Sequence, residues 1–107
     1  MNRKSRLTGS ETNGAHTHPK TIEVTFMLEH AQAREVFLSG DFNSWSPREL
    51  RMVRQSGGGR WEKRLRLAPG RYEYKFVVDE EWLADPKAEQ DVVNKYGSVN
   101  SVREVAE

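Results

Sequence analysis

The sequence predicts an all-β chain folded as an antiparallel sandwich. Three observations lead there. Apolar and polar residues alternate with a period of two along several short stretches. Turn-forming residues separate those stretches at short intervals. No stretch repeats its apolar residues at the spacing of an amphipathic helix. The length, 107 residues, suits one domain, and 36% hydrophobic against 31% charged residues suits a water-exposed surface around a modest core.

The elements follow in chain order. Residues 1–20, MNRKSRLTGSETNGAHTHPK, lack hydrophobic periodicity and predict a disordered leader, so the folded domain is expected over residues 21–107. Arg3, Lys4, Arg6 and Lys20 against Glu11 make the leader basic, at +3, and leave the remainder at −2. The domain is therefore no basic nucleic-acid binder, and the leader reads either as a solubilising segment or as one that touches RNA or an anionic surface. It has no apolar h-region, and no apolar run approaches the ~20 residues of a membrane helix, so neither a secretory signal nor a membrane partner is expected. The absence of cysteine excludes a disulfide framework and a thiolate nucleophile, and fits a cytoplasmic location.

Residues 21–29, TIEVTFMLE, place Ile22, Val24, Phe26 and Leu28 on one face, as a half-buried strand does. Residues 34–40, REVFLSG, predict a second strand with Val36 and Leu38 together, and ELRMV at 49–53 a short third. After the flexible SGGG turn at 56–59, residues 60–67 put Trp61, Leu65 and Leu67 on one face. After APG, residues 71–78 put Tyr72, Tyr74, Phe76 and Val78 inward and Glu73, Lys75 and Val77 outward. The acidic turn 79–81 closes a hairpin and Trp82 opens its short return strand. Residues 84–98 read as a long loop and 100–105 as the last strand.

Motifs for catalysis and metal binding are missing. The densest acids, Asp79, Glu80, Glu81 and Asp85, lie at a hairpin tip, where carboxylates point into water rather than flank a glycosidic bond. His16 and His18 fall in the leader and His30 stands alone, so neither a metal site nor a cofactor is expected. Gly57-Gly58-Gly59 precedes Arg-Trp rather than Lys-Ser/Thr, and is no phosphate loop. The residues thus predict a protein that is not an enzyme.

The aromatic residues are the informative ones. Trp45 lies in GDFNSWSP and Trp82 after three acidic turn residues, and neither fits an alternating strand face. Each either folds back to cap the core or stands exposed because something binds it. Two exposed indoles beside the outward Lys75 suit a sugar: the C–H face of a glucose ring packs on indole, and its rim of hydroxyls takes polar partners.

Three segments in order, REVFLSGDFNSWSP, GRWEKRLRLAPGRYEYKFVVDEEWLADP and NKYGSVNSV, resemble the family-48 carbohydrate-binding modules over roughly residues 22–105. That family includes the glycogen-binding domain of the AMP-activated protein kinase β subunit and the early-set, isoamylase-type N-terminal domains of branching and debranching enzymes. The resemblance implies an immunoglobulin-like early-set sandwich that binds α-1,4-linked glucans such as glycogen, starch and maltooligosaccharides without catalysis. By position, Trp45 and Trp82 match the stacking tryptophans and Lys75 the lysine that reaches a sugar hydroxyl. In the loop that closes over the glucan, Asn100 matches a hydrogen-bonding asparagine and Ser98 a small hydroxyl residue. Tyr96 stands where an aliphatic residue is frequent. The alternative is a protein-interaction module that docks on a kinase or a glycan-metabolising enzyme with no sugar binding of its own.

Overall fold

The structure, a computed structural model, describes residues 20–106. The expected disordered leader thus lies outside the described residues, save Lys20. Among the described residues nine strands form two antiparallel sheets: β1 (Ile22–Glu29), β2 (Val36–Gly40), β3 (Leu50–Arg51), β4 (Val53–Arg54), β5 (Arg60–Leu67), β6 (Gly70–Val78), β7 (Glu81–Leu83), β8 (Gln90–Val93) and β9 (Val99–Val105). The smaller sheet has the order β1-β5-β4 and the larger β3-β2-β6-β9-β8, with β7 also paired to β6. This is the expected all-β sandwich. Among the described residues no helix is long and apolar enough to cross a membrane.

Period-two alternation builds the core. β1 and β5 pair along their full length, from Ile22 opposite Leu67 to Glu29 opposite Arg60, which turns Val24, Phe26, Leu28, Trp61 and Leu67 to the same side. The larger sheet meets them with Val36, Leu38, Tyr74, Phe76, Val78 and Val105. The aromatic rings meet edge to face: Phe26 and Tyr74 at 5.0 Å and 73°, Tyr74 and Phe76 at 5.9 Å and 74°. That geometry adds about 0.5–1.5 kcal/mol per pair beyond area burial. Trp61 lies in the core as its parity predicts, and its indole N–H donates to the His30 carbonyl at 3.2 Å.

Three expectations are corrected. The single strand at 49–53 is two short strands in different sheets, because the chain changes sheet at Met52, which is buried between them and donates its backbone N–H to the Val36 carbonyl at 2.8 Å. The loop at 84–98 contains β8, an edge strand paired only to β9; with one side open to solvent it has no need of clean alternation. The acidic cluster is not solvated throughout. Asp79, Glu80 and Glu81 are exposed as expected, and the Asp79 carboxylate also accepts the backbone N–H groups of Arg34 and Glu35 at 3.0 and 2.9 Å, which ties the hairpin to the start of β2, but Asp85 is partly buried. Asp85 accepts the Tyr74 hydroxyl at 2.6 Å, and burial with this partner pushes the Tyr74 pKa well above the usual phenol range.

β6 positions the outer face of the larger sheet. One edge pairs with β2 from Tyr74 to Val78. The other is shared: β9 covers Gly70–Tyr74 and β7 covers Phe76–Val78. Lys75 therefore stands at the seam where β9 stops and β7 begins. On the same outward face Phe37, Val77 and Trp82 form a ladder across three strands. Phe37 and Val77 are buried although they face away from the core.

Candidate functional site

Trp45 is aimed by its turn. A 3-10 turn at Asp41–Asn43 follows β2, and Ser44 and Trp45 then take left-handed φ angles of 56° and 59°. This reverses the chain, and the Trp45 backbone N–H donates to the Gly40 carbonyl at 2.9 Å. Gly40 is needed for space: a Cβ there would lie 2.5 Å from the Glu73 carbonyl oxygen and 2.8 Å from the Phe42 ring. The Asn43 carboxamide accepts the Gly40 N–H at 3.0 Å and donates to the Ser46 carbonyl at 3.2 Å, closing the turn from within. Phe42 packs on the core beneath it, 5.5 Å from the Phe26 ring. Asp41 then holds the indole. One carboxylate oxygen accepts the Trp45 Nε1–H at 3.1 Å, and the other accepts the Glu73 backbone N–H at 2.8 Å.

Trp82 comes from β7. The Asp79-Glu80 turn has positive φ at both positions, 47° and 75°, the geometry of a tight two-residue hairpin. It returns the chain so that Trp82 pairs with Val77 and faces outward, 47% exposed. The Trp45 and Trp82 rings lie 6.3 Å apart at 46°.

The 94–98 turn between β8 and β9 forms the facing wall. Its organiser is Asn94. The carboxamide oxygen accepts the backbone N–H groups of Tyr96 and Ser98 at 2.9 and 3.2 Å, and the amide donates to Ser98 Oγ at 2.7 Å and Asn100 Oδ1 at 3.1 Å. Those four contacts use its full capacity. Lys75 Nζ donates to Ser98 Oγ at 3.0 Å. With two donors already on its oxygen, the Ser98 hydroxyl keeps its proton free to donate outward. Asn100 is 7% exposed, and its amide donates to Glu73 Oε1 at 2.9 Å. Hydrogen bonds from Asn100 and Arg71 hold the Glu73 carboxyl below the usual carboxylate range.

These residues surround one open groove of about 570 Å³ on the outer face of the larger sheet. Trp45, Trp82, Lys75, Asn100, Tyr96 and Ser98 all line it, and Asn94 and Lys95 line it with them. Tyr96 is 83% exposed, with Lys95 Nζ 5.4 Å from its ring centroid. Sequence reasoning passed over Asn94 as a site residue; the Asn-x-x-Gly spacing of a hairpin turn is the signal that points to it. Two indole faces, a tyrosine and several hydroxyl, amide and ammonium groups around a shallow trough suit a flat ligand with an apolar face and a polar rim.

Comparison with known proteins shows the family of the chain. A family model described as the glycogen recognition site of AMP-activated protein kinase matches residues 22–107. The chain is 39% identical over 72 residues to the pig (Sus scrofa) 5'-AMP-activated protein kinase subunit beta-1, a match covering 67% of this chain and 55% of that protein. It is 40% identical over 65 residues to rice (Oryza sativa) Protein FLOURY ENDOSPERM 6, a chloroplast protein, covering 61% of this chain and 12% of the relative. Arabidopsis thaliana PTST homolog 2, also chloroplastic, is 43% identical over 54 residues, half of this chain and 10% of that one. The chain thus spans about half of the pig protein and about a tenth of each plant relative. Among solved structures, a maltogenic amylase from S. marinus superposes with a TM-score of 0.67 at 25% identity, over 83% of this chain and 14% of that one. An enterochelin esterase from Shigella flexneri superposes equally well, at 0.67, with 18% identity over 82% of this chain and 31% of that one, a likeness of fold alone. The chain belongs to the family of the glycogen recognition site of AMP-activated protein kinase.

Proposed function

We propose that the domain binds α-1,4-linked glucans non-covalently in the groove and is not itself catalytic. Trp45 and Trp82 stack on glucose rings, Lys75, Ser98 and Asn100 hydrogen-bond ring hydroxyls, and Tyr96 rests against the curved chain. The observation that carries this reading is the pair of indoles, 6.3 Å apart, sharing one groove with Lys75, Ser98 and Asn100. Each stack contributes about 0.5–1.5 kcal/mol beyond area burial. Each exchanged hydrogen bond adds about 1 kcal/mol. After the entropy of association, a short maltooligosaccharide should bind with roughly micromolar to millimolar affinity, and polymeric glycogen more tightly through its many adjacent sites. An aqueous reducing compartment such as the cytoplasm suits a chain without cysteine.

The test is retardation in native gels containing glycogen or amylopectin. Wild type should be retarded, and Trp45→Ala and Trp82→Ala should run freely. A wild-type protein that runs freely would sink the reading.

A second reading, docking on a kinase or a glycan-metabolising enzyme, is favoured by one observation: the pig relative is a kinase subunit. The tryptophan pair would then be the centre of a protein interface. Co-purification with such a partner, with no effect of maltooligosaccharide on tryptophan fluorescence, would select it.

A further inference from the structure

The groove carries more positive charge than a neutral sugar requires. Lys75 and Lys95 both line it, and no carboxylate does. Elsewhere arginines and one lysine meet acids: Arg48 and Arg51 meet Glu35, Arg60 meets Glu62, Arg71 meets Glu73 and Lys87 meets Glu29. Among the described residues neither groove lysine has an acid within ion-pair distance. Glu73, two positions from Lys75 on the same strand face, is the nearest acid in sequence, but it is engaged by Arg71 at 2.9 Å and by Asn100 at 2.9 Å. Lys75 Nζ gives one hydrogen to Ser98 Oγ and keeps two. The Lys95 ammonium lies over the Tyr96 ring, a partner that holds a cation without neutralising it. This concentration stands out because residues 21–107 are net negative.

We propose that the groove prefers α-glucan bearing an anionic substituent, a phosphate monoester on a glucose hydroxyl, over the unmodified polymer. The inference rests on the glucan-binding reading of the groove. The tryptophans hold the sugar rings, as for a neutral glucan, and the phosphate lies between the two ammonium groups. Lysine suits this role as a compact point charge with several donors, and the free Ser98 hydroxyl supplies a further donor.

The test compares retention of the full chain by phosphorylated amylopectin with retention by the same amylopectin after enzymatic dephosphorylation. The phosphorylated polymer should bind about fivefold more tightly, because charge-assisted hydrogen bonds are roughly twice as strong as neutral ones. The ratio should fall toward one at high salt, while stacking on the neutral polymer persists. Lys95→Gln should bring the ratio close to one, and Lys95→Arg should keep it. Equal retention of both polymers by wild type overturns the inference and leaves the glucan reading standing. Retention of neither overturns both. A preference that survives unchanged in Lys95→Gln also overturns the inference, since it would then arise elsewhere, as in the basic residues Arg3, Lys4 and Arg6.

Discussion

Replacing Trp45 by glycine and by alanine separates the strain at this residue from its contacts. Both substitutions remove the indole, its 6.3 Å contact with Trp82 and its hydrogen bond to Asp41, so both should abolish retardation by glycogen. They differ at the backbone. Trp45 has a φ of 59°, in the left-handed region, where a side chain costs roughly 1–2 kcal/mol. Alanine keeps that cost and glycine does not. Glycine loses more backbone entropy on folding, which returns about 0.5–1 kcal/mol. The net is a glycine variant more stable than the alanine variant by up to about 1.5 kcal/mol, the reverse of the order at an ordinary strand position. In a domain of this size that is up to about 8 °C in Tm, and about 4 °C at the middle of the range. Thermal unfolding followed by far-ultraviolet circular dichroism reads it. An alanine variant that melts at or above the glycine variant would refute the reasoning.

Three further outcomes follow from the same geometry. Asp41→Ala frees the Trp45 indole while the exposed Glu73 N–H turns to water, so the maltooligosaccharide Kd should rise about three- to tenfold through lost preorganisation; titration calorimetry would show an unchanged Kd if the indole needs no such support. Asn94→Ala removes all four bonds that shape the 94–98 turn, and glycogen retention should weaken with little change in Tm, because the turn lies at the sheet edge. Glu73 has a carboxyl pKa lowered from 4.5 by its bonds to Asn100 and Arg71, so its contribution to stability is fully present above that value and is lost as pH falls through the lowered one. Below about pH 4.5, wild type should lose Tm more steeply than Glu73→Gln, and parallel curves would dismiss the linkage.

The two faces of each strand were legible because side-chain direction alternates strictly along a strand. That parity alone turns Tyr74 and Phe76 inward and Lys75 outward. Parity names a face, however, and does not say whether something covers it. Val77 is outward by parity and in the structure, yet it is only 4% exposed, because Phe37 and Trp82 flank it from neighbouring strands. β8 was illegible for a related reason: an edge strand with one open side carries no two-faced constraint. Trp45 lay beyond parity altogether. Its direction is set by two successive left-handed residues and by the Asp41 carboxylate, which Glu73 shares from a strand more than thirty residues later. No local pattern encodes that meeting.

The same ladder divides the two tryptophans. Trp82 sits on a strand and flanks a buried valine, so it belongs to the structure as well as to the groove. Removing its ring opens one side of Val77 to water. At ~25 cal/mol per Å2 of apolar surface, the uncovered valine and the lost indole burial together cost about 1–2 kcal/mol. Trp45 is itself only partly exposed, so its removal loses ring burial, the contact with Trp82 and the bond to Asp41 as well as releasing strain at its left-handed φ. The ladder is therefore tested by coupling within it. Trp82→Ala and Val77→Ala should be non-additive, by about 0.5–1 kcal/mol in unfolding free energy, because the two side chains touch across neighbouring strands. If the two effects simply add, Phe37, Val77 and Trp82 do not act as one packed layer, and Trp82 is a ligand platform only.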